Sequence, residues 1–191
     1  AEAAHQDRGR DHRAVPPGLT GIFLRPEALA TFYVAKRFVD FLEQFIGAAL
    51  RPVGAKMVEL GAQGVSVLEK VFSQSARYLT LVLIPSVFLL AALSPTLLKV
   101  FGRGRYLAGG LPVLVILAVS GGLAGFYALL MGAVFAAGKP IETTRIEAAR
   151  SAANVMLGLC LVKPLGIVGA AMGKLLAQGA GVGAAIAVGR R

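Results

Sequence analysis

The sequence has no tryptophan, one cysteine and two histidines among 191 residues, and each scarcity removes a class of function. A single cysteine, Cys160, permits no disulfide framework, and its apolar setting reads as a small hydrophobe of a helix. His5 and His12 lie in a polar N-terminal stretch with no cysteine or carboxylate array at ligand spacing, so neither a metal site nor a cofactor is expected. Basic residues occur singly, and Tyr33, Tyr78, Tyr106 and Tyr127 form no stacking platform, which argues against nucleic acid as a partner. Gly132 to Lys139 departs from a phosphate-binding loop: five residues separate its glycines, and Pro140 stands where a magnesium-holding Ser or Thr belongs. Gly179-Ala180-Gly181-Val182-Gly183 follows no strand and reads as a packing surface. No catalytic constellation remains, and the expectation is a protein that is not an enzyme.

Acidic residues are scarce in a telling place. None occurs between Glu69 and Glu142, and no charge of either sign occurs from Tyr78 to Leu98 or from Tyr106 to Gly138, runs of 21 and 33 residues. A helix needs about 20 apolar residues to cross a hydrocarbon core of roughly 30 Å, so both runs are long enough. What is abundant agrees: 56% hydrophobic residues, 24 glycines and a mean hydropathy of +0.71. The formal net charge of +10 belongs entirely to residues 28–191, because residues 1–27 carry four basic and four acidic side chains. Ala14-Val15-Pro16-Pro17-Gly18 follows Arg8 to Arg13 where a secretory signal would place an apolar run, so no such signal is expected.

The pattern predicts an all-α, polytopic membrane helix bundle with about five transmembrane helices, near 28–53, 78–101, 111–137, 145–162 and 165–188. Residues 1–27 read as a disordered polar tail with a helix stump at Leu19 to Leu24. Pro52 marks the end of the first helix, and residues 54–77 read as a surface loop with some helix. Turns are expected at Gly102-Arg103-Gly104-Arg105 and at Gly138-Lys139-Pro140. Thr144-Arg145-Ile146-Glu147 reads as a capping box that starts the fourth helix, and Lys163-Pro164 ends it. Gly121/Gly125 and Gly169/Gly173 have the spacing that lets helix backbones approach in lipid. If the helices alternate in direction, nine basic residues, Arg150 among them, fall at one set of helix ends and four at the other. The positive-inside rule then sets the C-terminus in the cytoplasm.

Lys36, Asp40, Glu43, Gly47 and Arg51 recur at helical spacing on one face of the first helix, with Arg37 beside them. Alone, this pattern suits an amphipathic surface helix with an exposed Lys36–Asp40 pair. Beside four apolar helices it suits a membrane helix that turns its charges toward a water-filled cavity. Lys174 lies ten residues past Pro164, near the middle of the last helix, where it either lines that cavity or snorkels to an interface.

Further features follow in a recognisable order. They are Tyr33-Val34-Ala35 before Arg37, Leu50-Arg51-Pro52, Arg77-Tyr78 ahead of an apolar helix with Pro85, and Phe101-Gly102 with Tyr106. Gly138-Lys139, Asn154 and Gly166-Ile167-Val168-Gly169-Ala170-Ala171 come after them. Over about residues 19–191 the chain resembles the C-terminal half of the polysaccharide-biosynthesis flippases, in the superfamily of the MATE (multidrug and toxic compound extrusion) transporters. The resemblance rests on order and spacing, not on any one motif. It implies a twelve-helix transporter of the cell's inner (cytoplasmic) membrane, made of two bundles around a cavity, of which this chain is a C-terminal fragment. Lipid-linked oligosaccharide would move from the cytoplasmic to the outer leaflet by alternating access. On that mapping Lys36, Arg37 and Arg51 meet the diphosphate, while Asp40 and Glu43 pair with them or bind a coupling ion, H+ or Na+. A MATE-type drug or cation antiporter, and a non-transporting membrane subunit or remnant, remain open alternatives.

Overall fold

The computed structural model describes residues 26–62, 64–102 and 107–189. The expected tail and helix stump before residue 26, both histidines, the turn residues 103–105 and Arg190–Arg191 lie outside the described residues. Those described form four helices: α1 (Pro26–Gly61), α2 (Val65–Gly102), α3 (Leu107–Ala136) and α4 (Pro140–Gly189).

Two boundaries correct the sequence reading. Pro52 does not end α1, which runs nine residues further, and the expected surface loop over 54–77 is helix on either side of a short turn at Gly64. A proline removes one amide donor and crowds one carbonyl, and packing on both sides outweighs that. Leu50 and Val53 border a core cluster that includes fully buried Met57 together with Leu68, Leu79 and Leu83 of α2. Lys56, Glu59, Glu69 and Lys70 point outward, as the polar face of such helices should. The capping box is the second correction. The helix begins at Pro140, and Thr144 lies inside it, donating its hydroxyl to the Pro140 carbonyl at 3.2 Å. Proline suits a first helical turn, because its missing amide would have no partner there.

The fourth and fifth expected helices follow one another without a loop and meet at a kink, and α4 denotes the two together. A straight helix of 50 residues would extend about 75 Å. At Gly166, two residues after Pro164, φ is +58° and ψ is −133°, a conformation open essentially to glycine alone. The arms 140–165 and 167–189 then run antiparallel. Lys139 Nζ donates to the Val188 carbonyl at 3.5 Å, Arg150 donates to Gln178 at 3.0 Å, and Gly158 faces Gly173. A Cβ on Gly173 would lie 2.8 Å from the Gly158 nitrogen, and one on Gly169 would collide with the Leu161 carbonyl.

α3 is the central element and packs against α1, α2 and α4. It is apolar on all sides, and Val113, Leu114, Leu117 and Ala118 are fully buried. Its glycines admit the neighbours. A Cβ on Gly125 would stand 2.8 Å from Leu83 and 3.1 Å from Ile46, and one on Gly121 would stand 3.0 Å from Val39. Both glycine pairs singled out by spacing therefore lie at close helix contacts.

Among the described residues three helices are long and apolar enough to cross a membrane, through Ser66–Val100, Gly109–Ala136 and Pro140–Gly189. α1 is not one of them, because charged residues from Glu27 to Glu59 are spread along its whole length. α2 turns an apolar face outward, with Phe88 76% and Leu81 71% exposed. So much contiguous apolar surface marks contact with lipid or with another protein.

A lysine-lined cleft between α1 and α4

The helical spacing of the charges on α1 places Lys36, Asp40 and Glu43 on the side that meets α4. Lys36 Nζ donates to both oxygens of Asp40, at 2.8 and 2.6 Å, so this pair belongs to one helix. Glu43 has a different partner. Lys174, 131 residues away on the second arm of α4, donates to its Oε1 at 2.8 Å. Lys174 therefore neither snorkels nor stands alone, and its side chain and that of Glu43 are 21% and 29% exposed. Glu43 lies near the midpoint of the 36-residue α1, so the bridge joins α1 to α4 about halfway along the bundle. Gly121 of α3 lies beside it: a Cβ there would be in ordinary contact with Glu43, 3.6 Å from both Cγ and Oε1.

Beside this bridge, α1 and the two arms of α4 enclose a cleft of about 200 Å³. Phe32 and Lys36 line it from α1, Asn154 and Gly158 from the first arm, and Lys174 from the second. The close approach of Gly158 and Gly173 brings the arms together there, one residue from Lys174 and one turn from Asn154. Asp40 and Glu43 are absent from the lining. The lysine side chains line the cleft, and each ammonium is held by a carboxylate outside it, Asp40 or Glu43. At roughly 200 Å³ the space is below the ~300–1,000 Å³ of drug-sized pockets, and Val155, Leu159 and Ala170 complete a largely apolar lining.

Three of the six candidate residues converge here, Lys36, Glu43 and Lys174, while Asp40, bound to Lys36, lines the adjoining groove beside Arg37. Arg37 and Arg51 do not. Arg37 is exposed on the adjoining face of α1, along a groove with Tyr33, Phe41 and Gln44, and Arg51 is exposed two turns past Glu43. Neither makes a salt bridge among the described residues. Asn154 was legible as a polar residue in an apolar stretch, yet only the cleft gives it a role.

A second polar cluster went unread in the sequence. Tyr127 donates to Glu147 Oε2 at 2.6 Å, and Arg150 binds both oxygens of the same carboxylate. The guanidinium also donates to buried Gln178 and lies 4.9 Å from the centre of the Tyr127 ring. Arg150, counted in the sequence among the basic residues of one set of helix ends, is thus tied into the bundle by its partners. Gly181 leaves the space, since a Cβ there would stand 2.7 Å from Arg150 Cδ. A lone Gln178 in an apolar helix was the signal that could have found this cluster. It is a fully satisfied tie between α3 and both arms of α4, which gives it a structural role. Among the described residues no group of acidic, histidine and cysteine side chains could hold a metal ion.

Comparison of the chain with protein-family models, with curated proteins and with solved structures finds no match.

Proposed function

We propose that the chain is part of a membrane transporter that binds the diphosphate of a lipid-linked oligosaccharide in the α1–α4 cleft as it moves between leaflets. In this reading α1, α2, α3 and the two arms of α4 make five crossings of the cytoplasmic membrane, with the C-terminus on the cytoplasmic side. The reading rests on one observation: two lysines, Lys36 and Lys174, line one cleft together with Asn154, each lysine within reach of it and paired with a carboxylate just outside. A diphosphate cannot cross hydrocarbon unaided, and ammonium groups held about halfway along the bundle supply the charge it needs. The antiparallel arms, about 39 and 35 Å long at 1.5 Å per residue, are each long enough to span. The order of sequence features that resembles the polysaccharide flippases points the same way. A drug or cation antiporter needs a carboxylate turned toward its substrate, and the two carboxylates nearest the cleft, Asp40 and Glu43, are engaged by lysines.

The test is binding by the chain in lipid nanodiscs, with a short-chain polyprenyl diphosphate as probe and the uncharged prenol of the same length as control. The diphosphate should bind at least tenfold more tightly than the prenol. Lys36→Gln and Lys174→Gln should each remove about tenfold, the equivalent of one charge-assisted hydrogen bond. Equal binding of prenol and diphosphate, or unchanged affinity in both variants, contradicts the proposal.

A further inference from the structure

We infer that the groove between the start of α2 and the end of α4 binds a phospholipid with a primary-amine headgroup, a phosphatidylethanolamine. The inference is independent of the α1–α4 cleft and needs only that the helices lie in a bilayer.

The groove follows from how three helices meet. α3 packs against both α2 and α4, whereas α2 and α4 make no contact with each other among the described residues. A gap therefore stays open between them, with α3 as its floor. Its volume is about 330 Å³, larger than the α1–α4 cleft and within the ~300–1,000 Å³ of ligand pockets. Leu130 and Ala133 supply the floor, Phe72 stands on the α2 side, and Ile186, 40% exposed, stands on the α4 side. Such an apolar slot between two helices can take in the acyl chain of a bilayer lipid.

Two opposite charges line the same groove, Glu69 near the start of α2 and Lys139 in the turn between α3 and α4. Both stand at the end of the bundle where α2 begins and where α3 and α4 finish, which is headgroup level for helices that cross a bilayer. The apolar residues lie further in: Phe72 is one turn past Glu69, and Leu130 is nearly two turns before the end of α3. The charges do not pair with each other. Glu69 makes no salt bridge among the described residues, and Lys139 Nζ makes only a long contact, 3.5 Å, with the Val188 carbonyl. An ammonium has three protons to donate, so Lys139 keeps capacity for a further acceptor.

Opposite charges that share a groove without closing on each other complement a zwitterion. Lys139 suits a phosphate oxygen, and Glu69 accepts from an ammonium that carries N–H donors. A choline headgroup has no N–H to donate. An anionic lipid brings net negative charge against Glu69. The ethanolamine headgroup meets both requirements, and a lipid seated there would join α2 to α4, which no protein contact does.

Native mass spectrometry tests this on the full chain in detergent, mixed with equal amounts of phosphatidylethanolamine, phosphatidylcholine and phosphatidylglycerol of identical acyl chains. The wild type should retain the ethanolamine lipid several-fold over either of the others. Glu69→Gln should abolish that preference, Glu69→Lys should turn it toward phosphatidylglycerol, and Lys139→Gln should weaken retention of all three. Glu69 is exposed, so its variants should fold. Lys70→Gln, which removes an exposed charge outside the lining, should change nothing. Glycerophosphoethanolamine, the same headgroup without chains, should displace the lipid only in large excess. Equal retention of the three lipids by the wild type, a preference that survives in E69Q and E69K, or displacement by the soluble headgroup at equal concentration overturns the inference. Polyprenyl diphosphate binding should be the same in E69Q as in the wild type, so this site and the α1–α4 cleft stand or fall separately.

Discussion

Lys174–Glu43 and Lys36–Asp40 are both short ion pairs, yet they do different things for the molecule. Lys36–Asp40 is an i,i+4 pair with each side chain about a third exposed, a class that contributes only ~0.3–0.5 kcal/mol. Lys174–Glu43 joins two helices in a less exposed place, where removing one partner strands the other charge. With allowance for the remaining exposure, that loss should be roughly 1–3 kcal/mol. Thermal unfolding in detergent should therefore show Lys174→Ala lowering the midpoint clearly more than Lys36→Ala. Adding Glu43→Gln to Lys174→Ala should recover a large part of the loss, because the stranded charge is gone. Equal effects of the two lysine variants, or strict additivity of Glu43→Gln and Lys174→Ala, would contradict this assignment. Sequence alone marked Lys174 as an outlier, since a lysine ten residues beyond Pro164 has no cheap place in an apolar helix. It could not supply the partner, because a contact between residues 43 and 174 depends on how α4 folds back against α1.

At the scale of elements, α4 carries most of the geometry. Its bend depends on one residue in a conformation that side chains other than hydrogen rarely adopt. Cysteines placed at Lys139 and Val188, which meet at the open end of the two arms, should cross-link readily with a short reagent in a Cys160→Ser background. Adding Gly166→Val should cut the yield severalfold, because a β-branched side chain disfavours the bend and the arms separate. Unchanged cross-linking would show that packing alone holds the hairpin. The hairpin was largely legible beforehand: Lys163-Pro164 and the glycines at 166, 169 and 173 already divide the apolar stretch in two. The ends of α1 and α2 were not. Pro52 and the mixed charges over 54–77 look like a break, but the buried row of Met57, Leu68 and Leu79 is visible only once the helices are set side by side. Thr144 and Glu147 likewise match a capping pattern by spacing, while the helix had already begun at Pro140.

Over the whole molecule, α3 fills the middle and leaves two contrasting surfaces. From Tyr78 to Leu98 the outer face of α2 presents an apolar strip about 30 Å tall, matching the roughly 30 Å of a hydrocarbon core. Arg77 and Lys99, both exposed, bracket it. The opposite character appears between α1 and α4, where polar groups collect about halfway up the bundle. The charge contradiction in the sequence, +10 on an apolar chain, resolves into basic residues near helix ends and a few drawn inward by partners. Position along the chain revealed the first group. The second needed the fold: Arg150 was counted with the helix ends until Glu147, Tyr127 and Gln178 accounted for it.

The cleft itself is most directly tested by photolabelling. A polyprenyl diphosphate bearing a diazirine next to the phosphates, activated in nanodiscs and mapped by mass spectrometry, should mark residues 32–36 of α1 and 154–159 and 170–174 of α4. Excess unlabelled diphosphate should suppress that labelling, and excess prenol should not. Labelling confined to the outer face of α2, between Leu81 and Leu93, or insensitive to the unlabelled diphosphate, would mean that the lysines between α1 and α4 do not receive the anionic headgroup.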